Sequence, residues 1–154
     1  MDFLNNIQKR RIKIPYSFNV TKKAKKYYEV GDNKYIIIPD NITKINVWSF
    51  ENSTSITNII IPNNVEIIGY GAFYNCTKLK EIVIPKNVFI ISDFSFKNCY
   101  SLENIVIPNI INIGYYVFHN CNNIKEITLP SSLDYINLSS FEYIDFSVVN
   151  IKTI

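Results

Sequence analysis

Few side chains in this sequence could do chemistry: three cysteines, a single histidine, some spaced carboxylates and two lysine-rich clusters. Cys76, Cys99 and Cys121 are the first candidates, because thiolates bind soft metals and pair into disulfides. Their separations are 23 and 22 residues, far from the Cys-x-x-Cys spacing that brings two thiolates onto one ion. So regular an interval points to a ladder of small buried groups, with a disulfide or metal site as the alternative; free cysteine packs as a small hydrophobe. His119 follows Phe118 and lies two residues before Cys121. As a catalyst it would need an exposed Ser or Cys and an orienting carboxylate. Cys121 is expected to point into the core, so His119 is expected to be an exposed loop residue. Gly69 and Gly71 are turn glycines with no Lys-Ser or Lys-Thr after them, so no phosphate loop is present. No catalytic residue, metal or cofactor follows from these residues, and the expectation is a protein that is not an enzyme.

What sets the cysteine interval is visible in the prolines. Pro39, Pro62, Pro85, Pro108 and Pro130 fall at intervals of 23, 23, 23 and 22, and each follows an apolar-x-apolar triplet: Ile36 to Ile38, Ile59 to Ile61, Ile82 to Ile84, Ile105 to Ile107, Ile127 to Leu129. The β-branched composition of these triplets suits a pleated strand. Proline ends each one, because it has no N–H to continue a ladder. The rest of the unit repeats in register. An apolar residue stands three after each proline (Ile42, Val65, Val88, Ile111, Leu133), then an isoleucine (Ile45, Ile68, Ile91, Ile113, Ile136), with one residue lost between the two in the fourth unit. A phenylalanine column follows (Phe50, Phe73, Phe96, Phe118, Phe141), then Ser53, Cys76, Cys99 or Cys121, then Ile56, Leu79, Leu102 or Ile124. A single unit of this kind cannot bury its apolar side chains alone. Stacked about 4.8 Å apart, the units would form a parallel sheet on one face and return loops on the other.

From Cys76 to Phe96 the pattern Cys-x-x-Leu-x-x-Ile-x-Ile-Pro-x-x-Val-x-x-Ile-x-x-x-x-Phe resembles the BspA-type leucine-rich repeat, as does the segment from Ile68 to Cys76. The resemblance covers roughly residues 35 to 143. It implies a repeat solenoid, a right-handed horseshoe of leucine-rich-repeat type with a parallel β-sheet on its concave face, mostly β with turns and short helical or 3-10 returns. It also implies protein recognition, in some members as bacterial or protist surface adhesins. No active site comes with it, since the shared positions are structural.

On this pattern residues 35–146 make about five repeats, 1–34 an N-terminal cap with a basic arm, and 147–154 a terminal strand. The cap is expected to include a short helix with Phe3, Leu4 and Ile7 on one face. Residues 1–26 carry eight Lys or Arg and one acid, a net +7, while the remaining 128 residues carry a net −4. Lys9-Arg10-Arg11 with Lys13, and Lys22-Lys23-Ala24-Lys25-Lys26, are spaced like a bipartite nuclear import signal, and equally suit a solvated cap face or a surface for acidic partners, nucleic acid or membranes. At the other end, Val148-x-x-Ile151-x-Thr153 fits the strand pattern after a one-residue insertion, with no polar cap beyond it. Either edge-mediated self-association or a longer array of which this is a fragment is expected. There is no secretory leader pattern at Met1 to Ile7, and reduced cysteines favour an intracellular protein, with nuclear or cell-surface placement as alternatives. The Ile-, Asn- and Lys-rich composition matches an AT-rich genome, so the glycosylation-type triplets at Asn19, Asn41, Asn52, Asn75 and Asn137 are expected by chance.

With alternate triplet residues facing the core, two columns are left on the sheet face. One is Tyr35, Asn58, Glu81, Asn104 and Glu126; the other is Ile37, Ile60, Val83, Val106 and Thr128. Glu81 and Glu126 would lie two strand spacings apart, about 9.6 Å, near the upper limit for an inverting glycosidase pair, but nothing around them suggests a sugar cleft. The second column is an apolar stripe facing solvent. It is explained either by strand propensity or as a contact surface for an unknown protein partner.

Overall fold

In a computed structural model the chain is a parallel β-solenoid of about five turns, with almost no helix among the described residues. The structure describes residues 27–30, 33–110, 112–131 and 137–154. The expected cap helix with Phe3, Leu4 and Ile7, and both basic clusters including Lys22, Lys23, Lys25 and Lys26, lie outside the described residues.

Two sheets run along the solenoid. The larger has seven strands in the order β1 (Tyr27–Val30), β2 (Asn33–Ile37), β4 (Asn58–Ile60), β6 (Glu81–Val83), β8 (Asn104–Val106), β10 (Glu126–Leu129) and β11 (Asn150–Thr153). All its pairings are parallel except that of β1, which runs antiparallel to β2 with Tyr27 opposite Ile36. The three central strands β4, β6 and β8 begin one residue before the apolar triplets and stop before the last triplet member, so the proline lies two residues past each strand. A second sheet of two-residue strands, β3 (Lys44–Ile45), β5 (Ile67–Ile68), β7 (Ile90–Ile91) and β9 (Asn112–Ile113), holds the isoleucine column. One short 3-10 helix, Leu138–Phe141, is capped by Asn137, whose Oδ1 accepts the Ser139 N–H at 3.1 Å.

Between the sheets the columns stack as single-residue layers. Phe50, Phe73, Phe96, Phe118 and Phe141 are all buried, with neighbouring rings nearly parallel and centroids 5.1, 5.0, 5.5 and 5.2 Å apart. The backbone locks them in place. Phe50, Phe73, Phe96 and Phe118 each donate their N–H to the next turn, to the carbonyls of Ala72, Ser95, Val117 and Ser140 at 2.7 to 3.0 Å. Cys76, Cys99 and Cys121 are free, buried thiols. Each Sγ donates back to the phenylalanine carbonyl of the turn before, at 3.3, 3.3 and 3.2 Å to Phe50, Phe73 and Phe96. Burial pushes the Cys99 thiol well above its ordinary pKa, and the neighbouring Cys121 adds to the shift.

In the fourth unit the buried residue after the proline is Ile110, equivalent to Val88. The expected Ile111 lies outside the described residues, as do Leu133 and Ile136. The missing residue therefore falls between Pro108 and Ile110. Pairing of Ile91 with Ile113 and of Ile90 with Asn112 holds the return strand in register and pushes the deletion back into the turn.

Four return turns use two left-handed residues each, and the fifth uses one, Tyr143 at φ 67°. The second position is asparagine in four turns, Asn52, Asn75, Asn98 and Asn120, at φ 57°, 60°, 64° and 62°. Asparagine tolerates this region because its short polar side chain bonds locally. Asn75 Nδ2 donates to Asn52 Oδ1 at 2.6 Å and Asn120 Nδ2 to Asn98 Oδ1 at 3.0 Å, so two of the glycosylation-type triplets are explained by turn geometry. The first position carries Trp48, Gly71, Phe94 and Tyr116 at φ 56° to 59°. Two features favour glycine at 71. Its φ is positive, and the Trp48 ring lies 2.0 Å from where a Cβ would stand.

Two outcomes follow from this core. Phe96→Ala should lower the unfolding free energy by about 3 to 5 kcal/mol in a urea titration, the usual cost of emptying a phenylalanine site; a loss near zero would mean the column is not close-packed. The three thiols should stay unreactive toward an aromatic disulfide reagent in the native protein and all react once it is unfolded.

Candidate functional site

The outward face of the seven-stranded sheet carries both expected columns. Tyr35 pairs with Asn58, Asn58 with Glu81, Glu81 with Asn104, and Asn104 with Glu126, so one side chain per turn stands in line. The register extends the line to Asn150 on β11, which the sequence pattern did not include. Beside it run Ile37 and Ile60 as one pair, then Val83, Val106 and Thr128, and finally Lys152. Ile36, Ile59, Ile82, Ile105 and Ile127, between the two columns on each strand, are all buried. The alternation that separates face from core therefore holds along β4, β6 and β8.

The stripe is uneven. Val83 is 61% exposed at the middle of the sheet, whereas Ile37, Ile60 and Val106 are half-buried. Thr128 is only 7% exposed and does not belong to the solvent-facing stripe as expected from its position. It stands in register between Val106 and Lys152, and Lys152 reaches beside it to bind Glu126 Oε2 at 2.8 Å.

The carboxylates of this face differ in their neighbours. Glu126 pairs with Lys152 and accepts from Asn150 Nδ2 at 3.4 Å. Glu103, one residue before the first column, pairs with Lys125 at 2.7 Å. The Lys125 hydrogen bond and charge hold the Glu103 carboxyl below its ordinary range. Glu81 accepts from Asn58 Nδ2 at 3.2 Å; Asn58 Oδ1 is turned inward, with no donor among the described residues. Glu81 and Glu126 do sit two strands apart, separated by β8. One is held by an amide and the other by an ammonium group, two different settings with no common cleft built from them. Among the described residues no group of three or more His, Cys, Asp or Glu is arranged to hold a metal ion.

His119 differs from the expected exposed loop residue. Its side chain is 14% exposed, set edge-on between Tyr116 and Tyr143 with ring centroids 5.4 and 4.9 Å away. Its Nδ1 lies 3.3 Å from Glu142 Oε2, without the alignment of a hydrogen bond. It is part of an aromatic row along the return turns. Trp48 meets Tyr70 and Tyr74 edge-on at 5.0 and 5.6 Å, Tyr70 meets Phe94 at 5.2 Å, and Phe94 stacks on Tyr116 at 5.5 Å. Lys97 Nζ sits 5.1 Å from the Phe94 centroid. The signal for this row was present two residues before the phenylalanine column, where Trp48, Phe94 and Tyr116 recur, but one glycine at position 71 interrupts it.

Comparisons with known proteins agree with this geometry. Residues 21–147 match the BspA type Leucine rich repeat region in six copies. A leucine-rich repeat protein from Bacteroides ovatus is 30% identical, with a TM-score of 0.65 over 78% of this chain and 30% of its own. A leucine rich cell surface protein from Faecalibacterium prausnitzii is 25% identical, with a TM-score of 0.68 over 82% of this chain and 37% of its own. The T. pallidum Leucine Rich Repeat protein is 25% identical, with a TM-score of 0.67 over 86% of this chain and 69% of its own. The chain thus spans about a third of the length of the first two. No curated protein sequence matches it. With its repeat matched across most of its length and its solenoid shared with these structures, the chain belongs to the BspA-type leucine-rich repeat family.

Proposed function

We propose that the chain is a non-enzymatic protein-interaction module whose partner lies on the outward face of the seven-stranded sheet. The contact would run over Tyr35, Ile37, Asn58, Ile60, Glu81, Val83, Asn104, Val106 and Glu126. The observation that carries this reading is Val83, 61% exposed at the centre of a parallel sheet and in line with Ile60 and Val106. Parallel sheets are normally covered on both faces. An apolar strip on an open one, rimmed by amides and carboxylates, has the make-up of an interface core with a polar rim. Membership of a leucine-rich repeat family supports the same class of function.

A second reading, that the chain is a fragment or small relative of a cell-surface adhesin, is favoured by its likeness to the leucine rich cell surface protein of Faecalibacterium prausnitzii. Labelling intact source cells with a membrane-impermeant reagent tests it: an unlabelled protein counts against surface placement.

The face itself is tested by Ile60→Lys combined with Val83→Lys. Val83 is mostly exposed and Ile60 half-buried on the open face, so the circular dichroism spectrum should be unchanged and the thermal midpoint should fall only slightly. Affinity capture from the native source should lose the specific partner by tenfold or more, about 1.4 kcal/mol of binding free energy. Capture that is unchanged while the fold is intact would remove the sheet face from the account.

A further inference from the structure

Two strands of the larger sheet present an equivalent pair of outward residues, and only one pair is satisfied within the chain. On β10 the pair is Glu126 and Thr128; on β6, two strands away, it is Glu81 and Val83. Beside β10 the next strand sets Lys152 in register with Thr128, and its Nζ reaches Glu126 Oε2 at 2.8 Å. The carboxylate there is neutralised, and Thr128 is 7% exposed. Beside β6 the next strand sets Val106 in register with Val83, and Val106 has no charge to offer. No cation pairs with Glu81 among the described residues, and Val83 is 61% exposed. Glu103, the other carboxylate of this face, already has Lys125 at 2.7 Å. Glu81 is also held in place. Asn58 Nδ2 donates to its Oε1 at 3.2 Å, while Asn58 Oδ1 is turned inward with no donor among the described residues. A buried acceptor without a donor costs stability, and here that cost falls where the amide steadies an exposed carboxylate.

We propose that the place Lys152 fills beside β10 is filled beside β6 by a lysine or arginine of a protein partner, its stem lying on Val83 and its charged head on Glu81. This rests on the reading that the outward sheet face binds protein, and it names the chemistry that the face selects. Long basic side chains lay their apolar stems along apolar surface while the charge stays with a polar partner. Val83 and Glu81, two residues apart on one strand, point to the same side and offer both. Ile60 and Val106, half-buried to either side of Val83, receive apolar neighbours of the basic residue, which keep water from the ion pair. The charge decides which partner binds more than how tightly. An acidic or neutral segment on this face would cover Glu81 without a cation, and a carboxylate buried unpaired is costly.

Nuclear magnetic resonance of the full chain, labelled at its valine methyl groups and titrated with the peptide acetyl-Val-Thr-Lys-Thr-Val-amide, reads the site directly. The Val83 and Val106 signals should move with this peptide and with its arginine counterpart. Norleucine or glutamate in the central position should bind about fivefold more weakly, the upper end for an exposed ion pair. Glu81→Gln should lower the affinity for the lysine peptide by the same factor, and added salt should weaken it. Val106→Lys, which copies Lys152 beside β6, should remove binding by supplying the cation from within the chain. Both variants should keep the circular dichroism spectrum of the parent. Norleucine binding as tightly as lysine, or an affinity unchanged in Glu81→Gln, would overturn the proposal and leave an apolar sheet face standing. Val83 signals that stay still with every peptide would overturn it as well, and partner capture by the chain carrying Ile60→Lys and Val83→Lys then decides whether the reading of the face falls with it.

Discussion

Everything in this molecule depends on one constraint: a single turn of about 23 residues has too little interior to bury its own apolar side chains, so each turn is finished only by its neighbours. The constraint is met at the phenylalanine column. There a ring stacks on the ring of the next turn while its own amide donates to that turn's backbone. Ring contact and hydrogen bond together set the offset between turns. Once that offset is set, every other position is copied along the axis, including the cysteine donors, the asparagine pairs and the two columns of the sheet face. The face is therefore a by-product of core registration, and its side chains are free to differ from turn to turn.

The same constraint explains where conformational cost is accepted. Bringing the chain back uses left-handed backbone twice in each of the first four turns, and Asn52, Asn75, Asn98 and Asn120 supply one of those positions at small cost. Trp48, Phe94 and Tyr116 supply the other with bulky rings, which left-handed backbone ordinarily disfavours. Their mutual contacts along the row, together with Gly71 beneath Trp48, compensate.

Much of this was legible in the residues. Proline spacing placed the strands, and the recurring positions identified columns that are buried at Ile45, Ile68 and Ile91, at all five phenylalanines and at all three cysteines, while Ile113 is half-buried and Ile136 lies outside the described residues. The readings that failed share one cause, since each depended on contacts between turns that periodicity does not encode. The two-residue strands of the second sheet exist only as inter-turn pairs, so Lys44–Ile45 and its equivalents look like loop in isolation. Ile110 takes the place expected for Ile111 because the return strand holds its register and the turn absorbs the deletion. Thr128 is screened where its position in the triplet suggested exposure, and His119 is enclosed by tyrosines from its own turn and the next. On the sheet face, the order of side chains was readable, but their ion pairs and the exposure peak at Val83 were not.

The central claim, that inter-turn registration at the phenylalanine column holds the whole solenoid together, is tested most directly by native-state amide hydrogen exchange. The amides of Phe50, Phe73, Phe96 and Phe118 should be protected to a common free energy close to that of global unfolding, because none can open without separating two turns. If the Phe73 and Phe96 amides exchange instead as fast as those of exposed turn residues such as Asn63 and Asn64, the column is not what joins the turns, and the account fails at its base.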